Sequence, residues 1–414
     1  MSAPESTADT PAEVAASPDG NSLADHTRRR WEAIKAGDAG TLPVILGLIL
    51  IVGFFYSQDS NYLTAGNFTN LMVQMAGVTT IAIGVVFVLL LGEIDLSIGY
   101  VSGIAGVVVA KLQFPDGSFQ TSGIVAIIVA IIVTALIGLF QGSFVALIGV
   151  PSFVVTLAGL LFWQGVILYS IGDTGVITID NELVNNVSNY FFSDTAGYVI
   201  ALIATLLFVF STLSGVISRR RHDILTDNLV LVTLRLVGFV VIAFGAIYWA
   251  NQERGFPVSF LIVIILLVFW TWVAERTTFG RHIYAVGGNA EAARRAGISV
   301  SGIRMKVFMI SGAMAGMGGV IFASRLSSVD LNAGGGTVLL DAIAAAVIGG
   351  TSLFGGRGRV ISALMGSLVI ATVANGLDLL GYSSSIKYMV TGAILLAAVT
   401  LDTVSRRRLE RAGR

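Results

Sequence analysis

The sequence predicts an all-α polytopic membrane protein, and three properties of the 414-residue chain lead to that fold class. Hydrophobic residues make up 55% of the chain and charged residues only 12%, whereas soluble proteins carry about 25% charged residues. The mean hydropathy is +0.85, and the apolar residues fall into long runs. The 48 glycines are typical of helices that pack closely in lipid.

The composition also excludes several kinds of site. The sequence has no cysteine, and its three histidines are widely separated, so disulfides, thiolate metal sites and a zinc cluster are excluded. We therefore expect no metal and no cofactor bound by this chain. The net charge is zero, and we expect no nucleic acid partner.

The N-terminal segment 1–41 differs from the rest of the chain. It is rich in Ser, Ala, Pro, Asp and Glu and lacks the apolar stretch and cleavage site of a signal peptide. We predict a disordered cytoplasmic tail.

The chain from residue 42 to residue 404 is predicted to be one transmembrane domain. A crossing helix needs about 20 mostly apolar residues, and about twelve segments satisfy or approach this length. In order they are 42–58, 71–91, 96–112, 122–147, 152–171, 197–217, 230–250, 257–275, 305–326, 337–353, 359–380 and 385–403. The tenth segment is short and flanked by glycines.

The basic residues predict the orientation. Most of the 25 Lys and Arg residues cluster in segments that become cytoplasmic when the N-terminus is placed inside. The even number of helices then leaves the basic tail 405–414 inside as well. By contrast, the loop 172–197 is acidic, lacks basic residues and lies outside. It is either a docking surface for an outside partner or a plain solvated loop.

A short helix is predicted within the long inner loop 276–305. Asn289 is a good N-cap, Glu291 lies in the first turn, Arg294 and Arg295 lie in the last, and Gly297 ends the helix. An amphipathic helix of this kind suits insertion into a groove on a cytoplasmic protein.

The same loop carries a family resemblance. Its heptad EAARRAG, 291–297, resembles the E-A-A-x-x-x-G loop by which membrane subunits of bacterial ABC importers dock on their ATPase. The chain is also similar to the sugar-permease subunits for ribose, galactose and xylose. This resemblance covers about residues 43–404, and five segments carry it. They are GEIDLSIG (92–99), PSFVVTLAGLL (151–161), FGRHIYAVGGNAEAARRAGI (279–298), LDAIAAAVIGGTSLFGGRG (340–358) and ANGLDLL (374–380).

Two departures from the ribose-type pattern look like the xylose-type permease. Glu93 stands where ribose-type chains usually have a second glycine. Residues 197–250 add a hairpin of two helices to the usual ten-helix permease core. The resemblance therefore favours xylose or a related pentose as the sugar.

The resemblance implies a transport subunit and not an enzyme. The sequence has no G-x-x-x-x-G-K-[ST] motif, and GGTSLFGG (349–356) lacks the lysine, so ATP would be hydrolysed by a separate ABC ATPase. An extracytoplasmic sugar-binding protein, a permease homodimer and a bacterial cytoplasmic (inner) membrane location are also implied. The residues implied in ATPase coupling are Glu291, Ala292, Ala293 and Gly297.

Polar residues inside the apolar segments are candidates for the sugar path, because polar groups in a membrane usually face a cavity or the bundle interior. They can equally well join helices to each other. The candidates for the path or for a helix break are Glu93, Asp95, Ser97, Asp341 and Asn375. Further polar candidates are Gln74, Thr79, Thr80, Gln141, Ser143, Thr156, Gln164 and Asp378.

Asp95 allows two interpretations. It lies where the N-cap of the helix at 96–112 belongs, and a sugar or gating contact is the alternative. The echo between GEIDLSIG and GGTSLFGG suggests an internal repeat with broken helices.

An ion-coupled secondary sugar transporter remains the competing function. It would need a buried carboxylate relay, for which Asp95, Asp341 and Asp378 are the candidates, and two halves of similar length.

Overall fold

The computed structural model describes residues 42–113, 121–221 and 229–411. The predicted tail 1–41 and the last three residues of the C-terminal tail lie outside the described residues. The described chain is an all-α polytopic bundle with two small β-ribbons, which confirms the predicted fold class. The helices are α1 Leu42–Gln58, α2 Ala65–Leu90, α3 Ile98–Gln113, α4 Gly123–Ser143, α5 Ser152–Ile171, α6 Glu182–Asn189, α7 Asp194–Arg221, α8 Leu229–Ala250, α9 Val258–Arg276, α10 Thr278–Gly288, α11 Ala290–Arg295, α12 Val300–Leu326, α13 Val338–Ile348, α14 Ile361–Leu379 and α15 Ser384–Arg411.

Four short strands form two antiparallel ribbons. They are β1 Val176–Thr178, β2 Phe191–Phe192, β3 Phe256–Pro257 and β4 Ser328–Asp330. β1 pairs with β4 and places Ile177 opposite Val329, and β2 pairs with β3. These ribbons lie at one end of the bundle, which we call the ribbon end. The opposite end carries α11 and is called the α11 end.

Among the described residues, eight helices are long and apolar enough to cross a membrane, and four apolar helices are shorter. Each of the twelve predicted segments overlaps one of these helices. Two of the shorter helices, α3 and α13, do not run from one end of the bundle to the other. Twelve complete crossings, and the side on which each terminus lies, therefore stay predictions.

The core of the bundle is built around α12, which packs against α2, α3 and α4. Glycines allow these helices to approach closely. A Cβ atom added to Gly312 would lie 2.2 Å from the carbonyl oxygen of Thr134, and one added to Gly138 would lie 2.1 Å from that of Phe308. The contact between α4 and α12 therefore requires a glycine on each helix.

The helix α3 starts near the middle of the bundle. Gly319 of α12 packs on Ser102, and Gly106 of α3 packs on Ala323, so α3 runs beside the second half of α12. Its 16 residues have a length of about 24 Å. This is shorter than the roughly 40 Å of the 27-residue α12.

The helix α13 also starts near the middle and runs in the opposite direction. The chain dips from β4 through residues 331–337 into the bundle, where Gly334 packs on Gly99. From there α13 continues to the α11 end, and Gly349 lies against Ser362 at the start of α14. The two half-length helices therefore begin beside each other and diverge towards opposite ends.

The predicted extra hairpin 197–250 forms the long helices α7 and α8. It contacts the core mainly at the ribbon end, through an apolar cluster that contains Met72, Ala201, Ile247 and Phe256. Most of the surface of both helices stays outside the bundle.

Candidate functional site

The α11 segment is a short helix on the surface of the bundle, and both of its ends are capped. The Asn289 side chain accepts a hydrogen bond from the Ala292 amide at 2.9 Å, as an N-cap does. At the other end Gly297 adopts φ +82°, and the amides of Gly297 and Ile298 donate to the carbonyls of Arg294 and Ala293. This pair of bonds is a Schellman motif. The predicted helix and both predicted caps are confirmed.

The residues of the EAARRAG heptad divide into a buried position and an exposed surface. Ala293 is buried and fixes the helix to the bundle, whereas Glu291, Ala292 and Gly297 are exposed. Glu291 forms ion pairs with Arg294 at 3.1 Å and with Arg295 at 3.2 Å. The single carboxylate is shared by the two arginines, and the methyl group of Ala292 lies on an accessible surface. A docking role for these residues stays a prediction.

The second part of the site is the segment 91–97, which connects α2 to α3. It turns back into the bundle in an irregular conformation. The Ile94 amide donates to the Ser152 hydroxyl at 3.2 Å, and the Thr156 hydroxyl donates to the Ile94 carbonyl at 3.2 Å. The side chains of α5 therefore satisfy backbone groups that no regular helix pairs, as is required within a membrane.

Asp95 lies deep in this segment and is 6% exposed. Its carboxylate accepts hydrogen bonds from the Ser97 amide at 3.0 Å, the Ser97 hydroxyl at 2.7 Å and the Ser311 hydroxyl at 3.0 Å. The Ser97 hydroxyl also lies 2.8 Å from the side-chain amide of Gln141. Asp95 thus caps the start of α3 and links it to α12 and, through Ser97, to α4.

The position of its partner Ser311 along α12 shows how deep Asp95 lies in the bundle. Ser311 is eleven residues beyond the first residue of α12, which corresponds to about 16 Å along the helix. The bonds of Asp95 support the capping interpretation. A contact with sugar stays the alternative.

Glu93 lies closer to the α11 end and contacts a residue that the sequence did not single out. The Nε atom of Arg304 lies 2.9 Å from Oε1 of Glu93, and the two side chains are 28% and 13% exposed. The Nε hydrogen is not aimed at an acceptor, so the pair is held by charge and not by a well-directed hydrogen bond. The sequence places Arg304 just before the predicted span 305–326, among the basic residues of the inner loop, and carries no signal that pairs it with Glu93.

Two other predicted polar residues, Asn375 and Asp378, lie away from Asp95, at the ribbon end. Asn375 exchanges two amide hydrogen bonds with Asn67, at 2.8 and 2.9 Å, and thereby joins α14 to the start of α2 at the ribbon end. Asp378 pairs with Lys387 near the same end. Asp341 lies in the first turn of α13, next to Thr337.

The hydroxyl groups predicted for the path mostly serve their own helices. Thr79 and Thr80 donate to the carbonyls of Met75 and Ala76, four residues earlier, and Ser143 donates to Phe140. These bonds satisfy the hydroxyls locally and favour the helix-packing interpretation.

A cavity of about 220 Å³ lies between α3, α12 and the dipping segment 331–337. Its lining combines small residues with polar ones. They include Ser102, Gly103, Gly106, Gly319, Asp330 and Asn332. The sequence did not point to these residues, since they meet only through the fold.

Known proteins match this chain along almost its whole length. The family described as "Branched-chain amino acid transport system / permease component" matches residues 67–399. The chain is 36% identical to the xylose transport system permease protein XylH of Escherichia coli K12, over 93% of this chain and 97% of that protein. It is 35% identical to XylH of Haemophilus influenzae, over 88% of this chain and 96% of that protein.

A ribose permease is also similar. The ribose import permease protein RbsC of Escherichia coli K12 is 30% identical, over 86% of this chain and 92% of that protein. No solved structure matches the chain.

Proposed function

The chain belongs to this permease family, within the sugar permeases of ABC importers, and from that premise we propose that it forms the membrane path for xylose or a related pentose. The observation that carries the proposal is the 36% identity to a xylose permease over 93% of the chain. The family description names branched-chain amino acids, but the similar proteins are named for xylose, ribose and allose. A sugar is therefore the better supported substrate class.

The proposed assembly has three kinds of component. Two copies of this chain form the membrane part, a cytoplasmic ABC ATPase binds at the α11 end, and an extracytoplasmic sugar-binding protein delivers its cargo at the ribbon end. This requires the α11 end to face the cytoplasm of a bacterial inner membrane. The chain itself performs no covalent chemistry, and ATP is bound and hydrolysed by its partner.

The geometry of α11 supports this arrangement. The helix is closed by its own caps, protrudes from the bundle and exposes Ala292 between charged neighbours. A short, preformed helix loses little conformational entropy when it enters a groove, which favours binding. The exposed positions Glu291, Ala292 and Gly297 are the proposed contacts with the ATPase.

The proposal is preferred to the ion-coupled secondary transporter. That alternative would use a relay of carboxylates, but Asp95 is bonded to Ser97 and Ser311, while Asp378 pairs with Lys387 at the ribbon end. Among the described contacts, Asp95 and Asp378 are engaged separately, and Asp341 lies on another helix, α13. The family relationship also supports an ATP-driven importer.

The test is reconstitution in lipid vesicles with a cognate ABC ATPase and its sugar-binding protein. We expect uptake of radiolabelled xylose that requires ATP and is reduced more by unlabelled xylose than by ribose or allose. Glu291→Lys and Gly297→Trp should abolish co-purification of the ATPase, whereas Glu253→Gln, at the ribbon end, should leave it intact. Xylose uptake driven by a proton or sodium gradient without any ATPase would overturn the proposal.

A further inference from the structure

The chain on both sides of α11 contacts one short segment, the end of α2 and the residues after it. Before α11, Gly287 packs against the last turn of α2. A Cβ atom added to Gly287 would lie 1.8 Å from the carbonyl oxygen of Leu90, so no larger residue fits. The Gly356 amide donates to the same carbonyl at 2.9 Å. This side of α11 therefore holds Leu90 by backbone contact.

After α11, the chain holds the same segment by charge. The linker 296–299 is short, and the Ser299 hydroxyl caps α12 by accepting from the Gly302 amide at 3.3 Å. Arg304 then lies in the second turn of α12 and pairs with Glu93 at 2.9 Å. Since α11 and α12 are separated by only this capped linker, a displacement of α11 is transmitted directly to Arg304.

The segment from Glu93 to Asp95 is attached to α12 at two points. Arg304 holds Glu93, and Ser311 holds Asp95. The two α12 residues are seven positions apart, or about 10 Å, and an extended pair of residues covers about 7 Å. The segment therefore runs alongside α12 from the α11 end to the cap of α3.

The ion pair is suited to transmit force because it is mostly shielded from water. With the side chains 28% and 13% exposed, separating the charges would leave two unpaired ions in a poorly solvated site. Glu93 is therefore expected to follow Arg304.

We propose that Arg304 and Glu93 form the positioning contact that passes a displacement of α11 to the start of α3. This inference rests on the proposed function and specifies how the ATPase cycle reaches the membrane path. When α11 moves, Arg304 draws Glu93, the segment carries Asp95 with it, and the start of α3 shifts against Gly334. In this proposal both residues act through the start of α3, and neither contacts ATP.

The experiment measures the number of xylose molecules transported per ATP hydrolysed in vesicles that contain the complete complex. Glu93→Gln and Arg304→Gln should assemble with the ATPase and hydrolyse ATP, but their transport per ATP should fall about tenfold, within the usual range for coupling between sites. The double variant Glu93→Arg with Arg304→Glu should recover most of the loss. A purely structural role would lower the amount of complex and would not change this ratio.

The chain offers a matched control. Arg359 pairs with Glu275 at 2.9 Å at the same end of the bundle, but these side chains are 68% and 37% exposed. Glu275→Gln should leave the ratio within about twofold of the native value, because exposed pairs contribute little.

Three results would overturn the inference. The first is a native ratio in Glu93→Gln, and the second is a folded charge-swapped variant as uncoupled as the single variants. If a single variant does not fold, the charge-swapped variant decides the question. The third is a native complex in which xylose uptake does not need ATP, which would remove the proposed function itself. This third result is distinguished from the other two because the native complex already transports xylose without ATP, before any variant is compared.

Discussion

The central helices α2 and α12 and the hairpin α7–α8 are all apolar, but they occupy opposite environments. In the most apolar stretch of each helix, 89% of α2 and 78% of α12 is buried, against 6% of α7 and 11% of α8. Hydropathy therefore predicts which segments enter the membrane but does not predict where they lie in the bundle.

The glycines show the difference. In α12, Gly312, Gly316 and Gly319 each face a neighbouring helix at a distance that excludes a side chain. In the hairpin, Gly215, Gly238 and Gly245 have no atom within 4 Å of the position that a Cβ would occupy. Close packing in lipid comes from the placement of small residues and not from their number.

The strongest way to test this comparison is to add the same side chain in both regions. Gly312→Leu should destabilise the protein by about 3 kcal/mol or more, because the new side chain collides with the backbone of Thr134. Gly238→Leu is the control, and it should change the stability by less than about 0.5 kcal/mol since its side chain would point away from the bundle. Thermal unfolding in detergent measures both. Equal losses in the two variants would contradict the comparison.

The second prediction concerns the buried carboxylate that joins three core helices. Asp95→Ala should destabilise the protein by about 2 kcal/mol, because the donors on Ser97 and Ser311 lose their acceptor. Asp95→Asn should lose less than about 1 kcal/mol, because its amide oxygen can still accept from Ser97 and its nitrogen can donate to Ser311.

Denaturant unfolding and xylose uptake, measured on the same preparations, check this prediction. If capping is the role of Asp95, the Asn variant keeps both its fold and its transport. Normal folding with lost transport would instead place Asp95 on the sugar path.

The smallest expected effect is a gain in stability, whereas the earlier predictions are losses. Gly238→Ala should stabilise the hairpin by about 0.5 kcal/mol, because alanine has the higher helix propensity and this position has no close neighbour. The same change at Gly312 should destabilise the core. The difference between the two changes in melting temperature measures the effect of packing directly. A lower melting temperature in both variants would show that Gly238 contacts another surface.

The parts of the structure that depend on local signals were predictable. The apolar segments, the hairpin and the short α11 all follow from residues near one another in the chain. The caps of α11 are set by Asn289 and Gly297, only eight positions apart, and each satisfies backbone groups of the same helix. Such features need no knowledge of the rest of the fold.

The parts that depend on distant contacts were not predictable. Nothing in the sequence pairs Glu93 with Arg304, or Asp95 with Ser311, since each pair is formed by the packing of α12 against the segment before α3. Apolar length also could not show that α13 starts in the middle of the bundle. Its depth depends on the dip of residues 331–337, which Gly334 makes possible by packing on Gly99.

The meeting of α3 and α13 has a consequence for the rate of transport. A continuous helix that opened at its centre would have to break several backbone hydrogen bonds, and each bond broken away from water is costly. Here the chain has no helical bonds to break at that level, because one helix begins at Ile98 and the other at Val338. If the proposed sugar path opens between α3 and α13, their glycine surfaces would slide past each other, and the activation barrier would contain no contribution from helix unwinding.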